Sequence, residues 1–355
     1  MTVTAPGHLP FVDALKALGA QLIVLHHLAF YGPLSDRVQP LAPDLIGWFA
    51  DHARIAVQLF LVVGGFLAAR SLAPAGRLAA PRPALLVPRR YLRLAIPYAV
   101  VLVLAVVAAH VARGWMTHDS ISAPPTFPQA LAHLALLQDV LGFESLSAGL
   151  WYVAIDFQLF VLLLAVLWGA RGAPSTVGMT AVAALGAASL LHFNRVPAWD
   201  IWALYFAGAY ALGAVAWWSA ARAAPAWLGP ALLAAALAAL AVDFRMRIAV
   251  ALVVAVALFA ASRSGLLSRW PRAPAVAWLG CNAYSLFLAH FPVCLVVNAL
   301  WTRFLPHDAW TSAAGLAVAW AASMAAGALL YRYVEAPSGA WVARLASRSG
   351  ALRRA

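Results

Sequence analysis

Residues 21–31 read Gln21-Leu-Ile-Val-Leu-His26-His27-Leu-Ala-Phe-Tyr31, which places two adjacent histidines inside an apolar run. The apolar segment begins at residue 11, so the whole stretch is long enough to cross a bilayer as one helix. An ionisable side chain is costly in hydrocarbon, and its presence there indicates a functional role by default. This stretch therefore predicts a membrane fold and a site within it.

The composition agrees with a chain that crosses the membrane many times. Hydrophobic residues make up 65% of 355 positions and charged residues 10%, and the mean hydropathy is +0.85. Windows of apolar residues predict an all-α, polytopic membrane helix bundle of about ten transmembrane helices. The predicted spans are residues 11–31, 46–69, 91–112, 149–169, 175–193, 197–217, 226–242, 246–262, 276–301 and 312–333.

The basic residues predict the orientation of the bundle. The chain has 24 Lys and Arg against 12 Asp and Glu, but they lie in short loops, so nucleic acid is not an expected partner. Placing the N-terminus inside puts 17 of the 24 basic residues on the cytoplasmic side. Both termini are then cytoplasmic, and residues 1–340 form a single domain followed by a basic cytoplasmic tail at 341–355. No basic n-region or cleavage site precedes Phe11, so we predict no removable signal peptide.

The longest predicted loop, residues 113–148, lies on the outer side in this orientation. It carries polar residues that include His118, Asp119, His133 and Asp139. A loop of that length in a compact bundle is more often functional than idle.

The first helix places charged groups at defined positions. Lys16 and His27 are eleven residues apart, which is about three turns, so they lie on one face at different depths. His26 points away from that face, and Asp13 is within reach of an i,i+3 ion pair with Lys16. Two plainer interpretations stay open: Lys16 as a lysine snorkelling at a helix end, and His26 as a buried, hydrogen-bonded histidine.

The fourth predicted span contains Asp156, an acid well inside a membrane helix. Counted from the outer surface, Asp156 and His27 differ in depth by only about 5 Å, so the two side chains can pair across the bundle. A carboxylate beside a histidine orients the ring and raises its basicity, which is the arrangement that activates a hydroxyl. The alternative is a buried ion pair or hydrogen bond that fixes helix register.

Two clusters flank the membrane segments. Arg89-Arg90-Tyr91-Leu92-Arg93 opens the third predicted helix, and arginine forks suit phosphate groups, although the positive-inside rule alone also favours arginines there. Gly64 and Gly65 form a pair that is typical of helix packing.

The ninth predicted span carries Tyr284, Ser285 and a further intramembrane histidine, His290. The set of Cys281, His290 and Cys294 lacks a carboxylate and makes a poor zinc site, so we predict no metal.

Six segments, taken in chain order from residue 11 to about residue 340, resemble the acyltransferase 3 family of integral membrane O-acyltransferases. Members typically read Leu-Asp-Gly-Leu-Arg followed by a histidine after ten further residues; here Val12-Asp13-Ala14-Leu15-Lys16 is followed at that spacing by His27. The other similar segments are Leu59–Phe66, Arg89–Pro97, Trp151–Phe160, Tyr284–Pro292 and Val334–Pro337.

Three positions depart from the family pattern. Lys16 replaces the usual arginine and loses its bidentate fork. Asp156 is one methylene shorter than the usual glutamate, and Gly64 replaces a serine and removes a hydroxyl. These departures bear on substrate preference and catalytic competence more than on the fold.

The resemblance implies transfer of an acyl group, most often acetyl, from cytoplasmic acyl-CoA to a hydroxyl of a carbohydrate or other envelope molecule. It implies His27 as general base or transient acyl carrier, oriented by Asp156, with Lys16 near the donor. Arg89, Arg90 and Arg93 would hold the CoA phosphates. The further candidates for the site are Asp13, His26, Tyr284, Ser285 and His290. The implied co-substrate is acyl-CoA, the implied acceptor is a carbohydrate or lipid-linked molecule, and the implied location is the bacterial inner membrane.

A competing hypothesis is a proton-coupled secondary transporter. It would use His27, Asp156 and His290 as a proton relay within the membrane. Inverted repeats would support it, but none is evident in the sequence, and a relay does not need the arginine cluster. An inactive scaffold with the same fold is a third hypothesis. Release of CoA from acetyl-CoA by the purified protein separates the enzyme from the transporter.

Overall fold

The structure is a computed structural model that describes residues 9–80 and 82–351, with side chains through residue 345. Within those ranges it is helical, without β-strands. The residues before Leu9 and the last four residues of the predicted basic tail lie outside the described residues. The α-helices are α1 (Pro10–Phe30), α2 (Pro33–Val38), α3 (Pro43–His52), α4 (Ala56–Leu72), α5 (Leu86–Trp115), α6 (Phe127–Leu134), α7 (Leu150–Gly169), α8 (Ser175–Leu191), α9 (Ala203–Ala220), α10 (Leu228–Val242), α11 (Met246–Ser264), α12 (Pro274–Phe304), α13 (Ala309–Leu330) and α14 (Ala336–Ala351).

The helices confirm the prediction of an all-α membrane bundle. In the described part of the chain, 8 helical segments are long and apolar enough to cross a bilayer. Spans predicted at 197–217 and 226–242 correspond to α9 and α10, which are not among the 8. Helix α10 has only 15 residues, and α9 is diluted by tyrosine, tryptophan and glycine. The predicted count of about ten is therefore approximate.

Contacts between Cα atoms divide the chain into two compact units. The first unit consists of Met1–Gly19, Ile55–Leu86 and Ile155–Cys281. The second unit consists of Ala20–Arg54, Val87–Ala154 and Asn282–Ala355. Each unit is described by itself below.

Helix α9 is the core of the first unit and is buried along nearly its whole length. It packs directly on α4 because glycines replace side chains at the contact. A Cβ atom on Gly65 would lie 1.9 Å from the backbone oxygen of Tyr210, and one on Gly213 would lie 1.9 Å from that of Val62. The prediction that Gly65 is a packing residue is confirmed, since here backbone meets backbone.

The second unit is built around α5, α12 and the segment between α5 and α7. Small and apolar residues of α5 pack against Phe291 and Leu295 of α12. The hydroxyl of Tyr284 donates to the backbone oxygen of Leu94 at 2.9 Å, which ties the two helices nearer their N-terminal ends. These contacts fix the height at which α12 presents its next polar residues.

The sequence predicts a loop at one end of α5, but the segment of residues 116–149 is not confined to that end. A guanidinium nitrogen of Arg113 donates to the oxygen of Ser122, whereas the hydroxyl of Tyr91 donates to the oxygen of Leu134. Arg113 and Tyr91 are separated by about 33 Å along α5, so the segment runs back along the helix. The predicted position of this loop is therefore wrong. The segment can lie along α5 because helix α6 exposes its leucines, which suit lipid contact, and buries His133 completely.

Candidate functional site

Helices α1 and α12 bring two buried histidines of the second unit together. The Nδ1 atom of His27 lies 2.5 Å from the Nε2 atom of His290. The ring planes differ by only 6° and the ring centroids are 4.8 Å apart. Because the two nitrogens are much closer than the centroids, the rings meet edge to edge in nearly one plane. This is the geometry of a hydrogen bond between imidazoles rather than of face-to-face stacking.

The backbone decides which nitrogen carries each proton. The Nδ1 atom of His290 lies 3.1 Å from the oxygen of Leu286, and a carbonyl only accepts hydrogen bonds, so this nitrogen bears the hydrogen. In a neutral ring the Nε2 atom of His290 is then an acceptor. The Nδ1 atom of His27 must therefore donate to it. The Nε2 atom of His27 is left with its lone pair and is the basic atom of the pair.

Aromatic side chains enclose His27 on the other sides. The ring of Tyr31 lies 5.3 Å from that of His27, and the ring of Phe291 lies 6.0 Å from it at a steep angle. Both histidines are buried, with relative exposures of 7% for His27 and 0% for His290. A dry, aromatic setting strengthens the hydrogen bonds inside it, since little water competes for the same groups.

His26 has a different partner from its neighbour in the sequence. Its Nδ1 atom lies 3.1 Å from the backbone oxygen of Phe49 in α3, and its side chain is buried. The plainer interpretation of His26, as a hydrogen-bonded histidine, is confirmed.

In the first unit, Lys16 pairs with Asp13 as predicted. The Nζ atom of Lys16 lies 2.8 Å from an oxygen of Asp13. Gly280 of α12 lies against this pair, because a Cβ atom there would be 2.5 Å from the Cβ atom of Asp13. The ion pair is therefore confirmed, whereas a role for Lys16 toward a donor stays a prediction.

Two of the departures from the family pattern lie side by side in the first unit. A Cβ atom on Gly64 would lie 3.2 Å from a carboxylate oxygen of Asp156 and 3.2 Å from the ring of Tyr210. The absence of a side chain at Gly64 thus leaves room for the carboxylate of Asp156 on α7. His27 lies in the second unit, and its pairing with Asp156 stays a prediction.

The arginine cluster lies at the start of α5, in the second unit. Arg89 and Arg90 are half-buried, and Arg93 is exposed one turn later. A helix N-terminus carries a partial positive charge, which adds to that of the arginines and favours anions. Phosphate binding here stays a prediction.

Ser285 pairs with an acid that the sequence analysis names only as part of a motif. The hydroxyl of Ser285 donates to a carboxylate oxygen of Glu335 at 2.6 Å. Glu335 ends a π-helical turn, Tyr331–Glu335, and such turns are frequent at functional sites. The signal that could have singled it out is Pro337, because a proline cannot continue the hydrogen bonds of a regular helix. Tyr284 and Ser285 thus anchor α12, which carries His290.

A fourth buried histidine, His133, lies within the segment of residues 116–149. The Nδ1 atom of His133 lies 2.9 Å from the oxygen of Gln129, and its Nε2 atom accepts from the backbone N–H of Leu146 at 3.1 Å. Burial lowers the pKa of His133 below its usual value. The neutral ring therefore ties α6 to the chain just before α7.

Comparison with known proteins is decisive only at the level of the family. The model of the acyltransferase 3 family, which is described as an acyltransferase domain, matches residues 9–341, nearly the whole chain. No curated protein and no solved structure matches the chain. Among the described residues, no group of three or more His, Cys, Asp or Glu side chains is placed to hold a metal ion.

Proposed function

Because the chain belongs to the acyltransferase 3 family, we propose that it is a membrane O-acyltransferase that uses His27 as its base. The donor is a cytoplasmic acyl-CoA, most often acetyl-CoA, and the acceptor is a hydroxyl of a cell-envelope carbohydrate or lipid-linked molecule. The observation that carries this proposal is the His27–His290 hydrogen bond, which leaves the Nε2 atom of His27 basic.

The proposed chemistry uses that lone pair to transfer the acyl group directly from donor to acceptor. The acceptor hydroxyl gives its proton to the Nε2 atom of His27 as its oxygen attacks the thioester carbonyl carbon. The carbon–sulfur bond then breaks, and the proton passes from His27 to the leaving thiolate, so the products are an ester and CoA. A positioned general base contributes about 10²–10⁴-fold to such a rate. The same lone pair also serves the alternative in which His27 carries the acyl group transiently.

His290 is the proposed positioning residue for His27. Position in the sequence favours Asp156 for this role, but the Nδ1 atom that an orienting acid would contact has His290 beside it. As an acceptor, His290 keeps His27 in one tautomer and one orientation, which is the task of the acid in a serine protease triad. Being neutral, it stabilises the imidazolium form of His27 less than a carboxylate would. A contribution from Asp156 stays part of the proposal.

The start of α5 is the proposed site for the CoA phosphates. Arg89, Arg90 and Arg93 lie there beside the helix N-terminus, and guanidinium forks match phosphate oxygens in pairs. In the predicted orientation this end of α5 faces the cytoplasm, where acyl-CoA is made. The same charge distribution supports the proposed inner-membrane location with cytoplasmic termini.

The test is release of CoA by the purified protein. Acetyl-CoA labelled in its acetyl group is added with an envelope carbohydrate fraction, and free thiol and labelled ester are both measured. We expect thiol release that depends on the acceptor and equals ester formation. A transporter would release no thiol, and that result would replace the proposal with its alternative.

The proposed phosphate site at Arg89 and Arg90 is tested against a control arginine elsewhere in the chain. Arg89→Gln or Arg90→Gln is expected to raise the KM for acetyl-CoA by about tenfold, because a charge-assisted hydrogen bond is lost. Arg171→Gln removes an exposed arginine that lies over the ring of Trp168 at a chain turn and serves as the control. Equal KM values in all three variants would remove the start of α5 from donor binding.

A further inference from the structure

A cavity of about 590 Å³ lies in the first unit between α9, α10 and α11, outside the proposed catalytic residues. Apolar side chains form most of its wall, among them Leu212, Leu232, Leu252 and Phe259. The side chains of Val256 and Phe259 are 51% and 39% exposed, so the cavity is open to the outside along the helices. A lateral opening between three apolar helices suits a hydrocarbon chain.

The charged residues of this cavity are concentrated at one end. Arg222 follows the end of α9 and Arg263 lies in the last turn of α11. None of the described residues that line the cavity carries a carboxylate. The indole of Trp218 donates to the oxygen of Ala73, so this is the end of the unit where α4 passes into the basic loop that follows it. The cavity therefore combines an apolar body with a cationic mouth.

The length of the cavity matches one leaflet of a bilayer. Leu252 and Arg263 are eleven residues apart on α11, which is about 16 Å along the helix axis. The hydrocarbon core of a bilayer is about 30 Å thick, so one leaflet spans about half of that. A lipid chain seated against Leu252 would place its headgroup at the arginines.

The backbone of Arg222 is held in a conformation that disfavours its own side chain. Its φ is +56°, in the left-handed region. The N–H groups of Arg222 and Ala223 donate to the oxygens of Ser219 and Trp218, which is the helix end at which glycine is preferred. An arginine here costs backbone energy that glycine would not, and such strain tends to occur where a ligand is held. The arginine is thus better explained by its charge than by the fold.

We propose that this cavity is a binding site for one anionic phospholipid, with its acyl chain along α11 and its phosphate between Arg222 and Arg263. Basic pockets between membrane helices on the cytoplasmic side bind such headgroups, and that leaflet is rich in them. A free phosphate has no use for an apolar wall of this length, and a zwitterionic lipid has no net charge for two arginines. None of the residues that line the cavity belongs to the proposed catalytic set.

The test measures lipid retained by the purified full-length protein in detergent, by native mass spectrometry. Dioleoyl phosphatidylglycerol is compared with dioleoyl phosphatidylcholine and with glycerol phosphate. We expect one phosphatidylglycerol per chain, and retention about fivefold weaker after loss of either arginine. Val256→Trp, which narrows the opening, is expected to weaken retention as well.

The variant Arg222→Gly distinguishes a loss of lipid binding from a loss of folding stability. Glycine relieves the backbone at this position, so the lipid-free variant should unfold at the same temperature as wild type or higher. It should nevertheless lose phosphatidylglycerol, as should Arg263→Gln. Arg77→Gln removes an exposed arginine in the loop after α4 and should retain the lipid. Undiminished retention in Arg222→Gly and Arg263→Gln, equal retention of phosphatidylcholine, or displacement by glycerol phosphate alone would each overturn the proposal.

Discussion

The histidine pair of the second unit and the glycine contact of the first unit solve opposite packing problems. At His27 and His290, two polar side chains are buried and satisfy each other, with one lone pair left over. At Gly65 and Gly213, side chains are absent and two helix backbones touch. The first contact leaves a reactive atom, and the second leaves no space. Substitutions should therefore change the rate at one contact and the amount of folded protein at the other.

The largest expected effect is on the rate. His27→Ala should lower acyl transfer by about 10²–10⁴-fold, because the lone pair that accepts the hydroxyl proton is lost. The measurement is ester formation per molecule of membrane-inserted protein. His307→Ala, at an exposed histidine, is the control. Wild-type turnover by His27→Ala would remove this histidine from the mechanism.

The glycine contact should respond in the opposite way. Gly65→Val places a Cβ atom where the oxygen of Tyr210 lies, and the overpacking should cost about 3 kcal/mol or more. Thermal unfolding in detergent should show a lower midpoint, with the rate per folded molecule unchanged. Gly114→Ala is the matched control, because a Cβ atom there meets nothing within 4 Å. A stable Gly65→Val protein would contradict the close backbone contact.

The histidine pair can be divided further at His290. His290→Ala should lower kcat by about tenfold to a hundredfold, as loss of an outer partner of a functional histidine commonly does. His290→Gln offers an oxygen to the Nδ1 hydrogen of His27 and should recover part of that loss. The two variants are compared by kcat and KM for acetyl-CoA. Equal losses in both would mean that His290 acts through packing rather than as an acceptor.

Acid should loosen a third contact, that of His133. The pKa of His133 is lowered in the folded protein from its ordinary value of 6.5. Below about pH 6.5 the unfolded chain therefore binds more protons than the folded protein, and the stability of the folded protein falls as the pH falls. Protonation of the Nε2 atom removes its bond from Leu146 and should cost about 1 kcal/mol locally. Weaker protection of the Leu146 amide near pH 5, after its exchange rate is divided by the intrinsic rate at that pH, is the expected observation. His133→Gln should lack this pH dependence; if it exchanges like wild type, another group titrates.

The smallest effect is expected at Gly64, the residue before Gly65 in the first unit. Gly64→Ser restores the serine usual in the family, but its Cβ atom would press on Asp156 and Tyr210 at 3.2 Å. Shifts of a few tenths of an ångström should change kcat/KM by about fivefold or less. A far larger loss of activity without loss of stability would give Asp156 a more direct part in the chemistry.

Local features of the site could be predicted from the sequence because they lie within one helix. The Asp13–Lys16 pair follows from a spacing of three residues, and the different surroundings of His26 and His27 follow from the rotation between neighbours. Contacts between distant segments could not be predicted. Counting residues along a helix gives the depth of a side chain but not the direction in which it points, so the sequence favours Asp156 as the partner of His27 and leaves His290 as a further candidate.

The segment of residues 116–149 shows the same limit in the fold. Its length and polar residues predict a long loop on the outer side, whereas its path along α5 depends on hydrogen bonds that Tyr91 and Arg113 make with it. No local pattern specifies those partners. Hydropathy detects helices that are long and apolar, and it misses a short helix such as α6.

By itself, the sequence determined that this chain is a bundle of membrane helices. It could do so because hydrocarbon requires apolar side chains and backbone hydrogen bonds satisfied within each helix, and both are local properties. Only the tertiary structure decided which nitrogen of His27 is basic. That depends on a hydrogen bond to a residue 263 positions away, and hydrogen bonds act over a few ångströms that packing alone can supply.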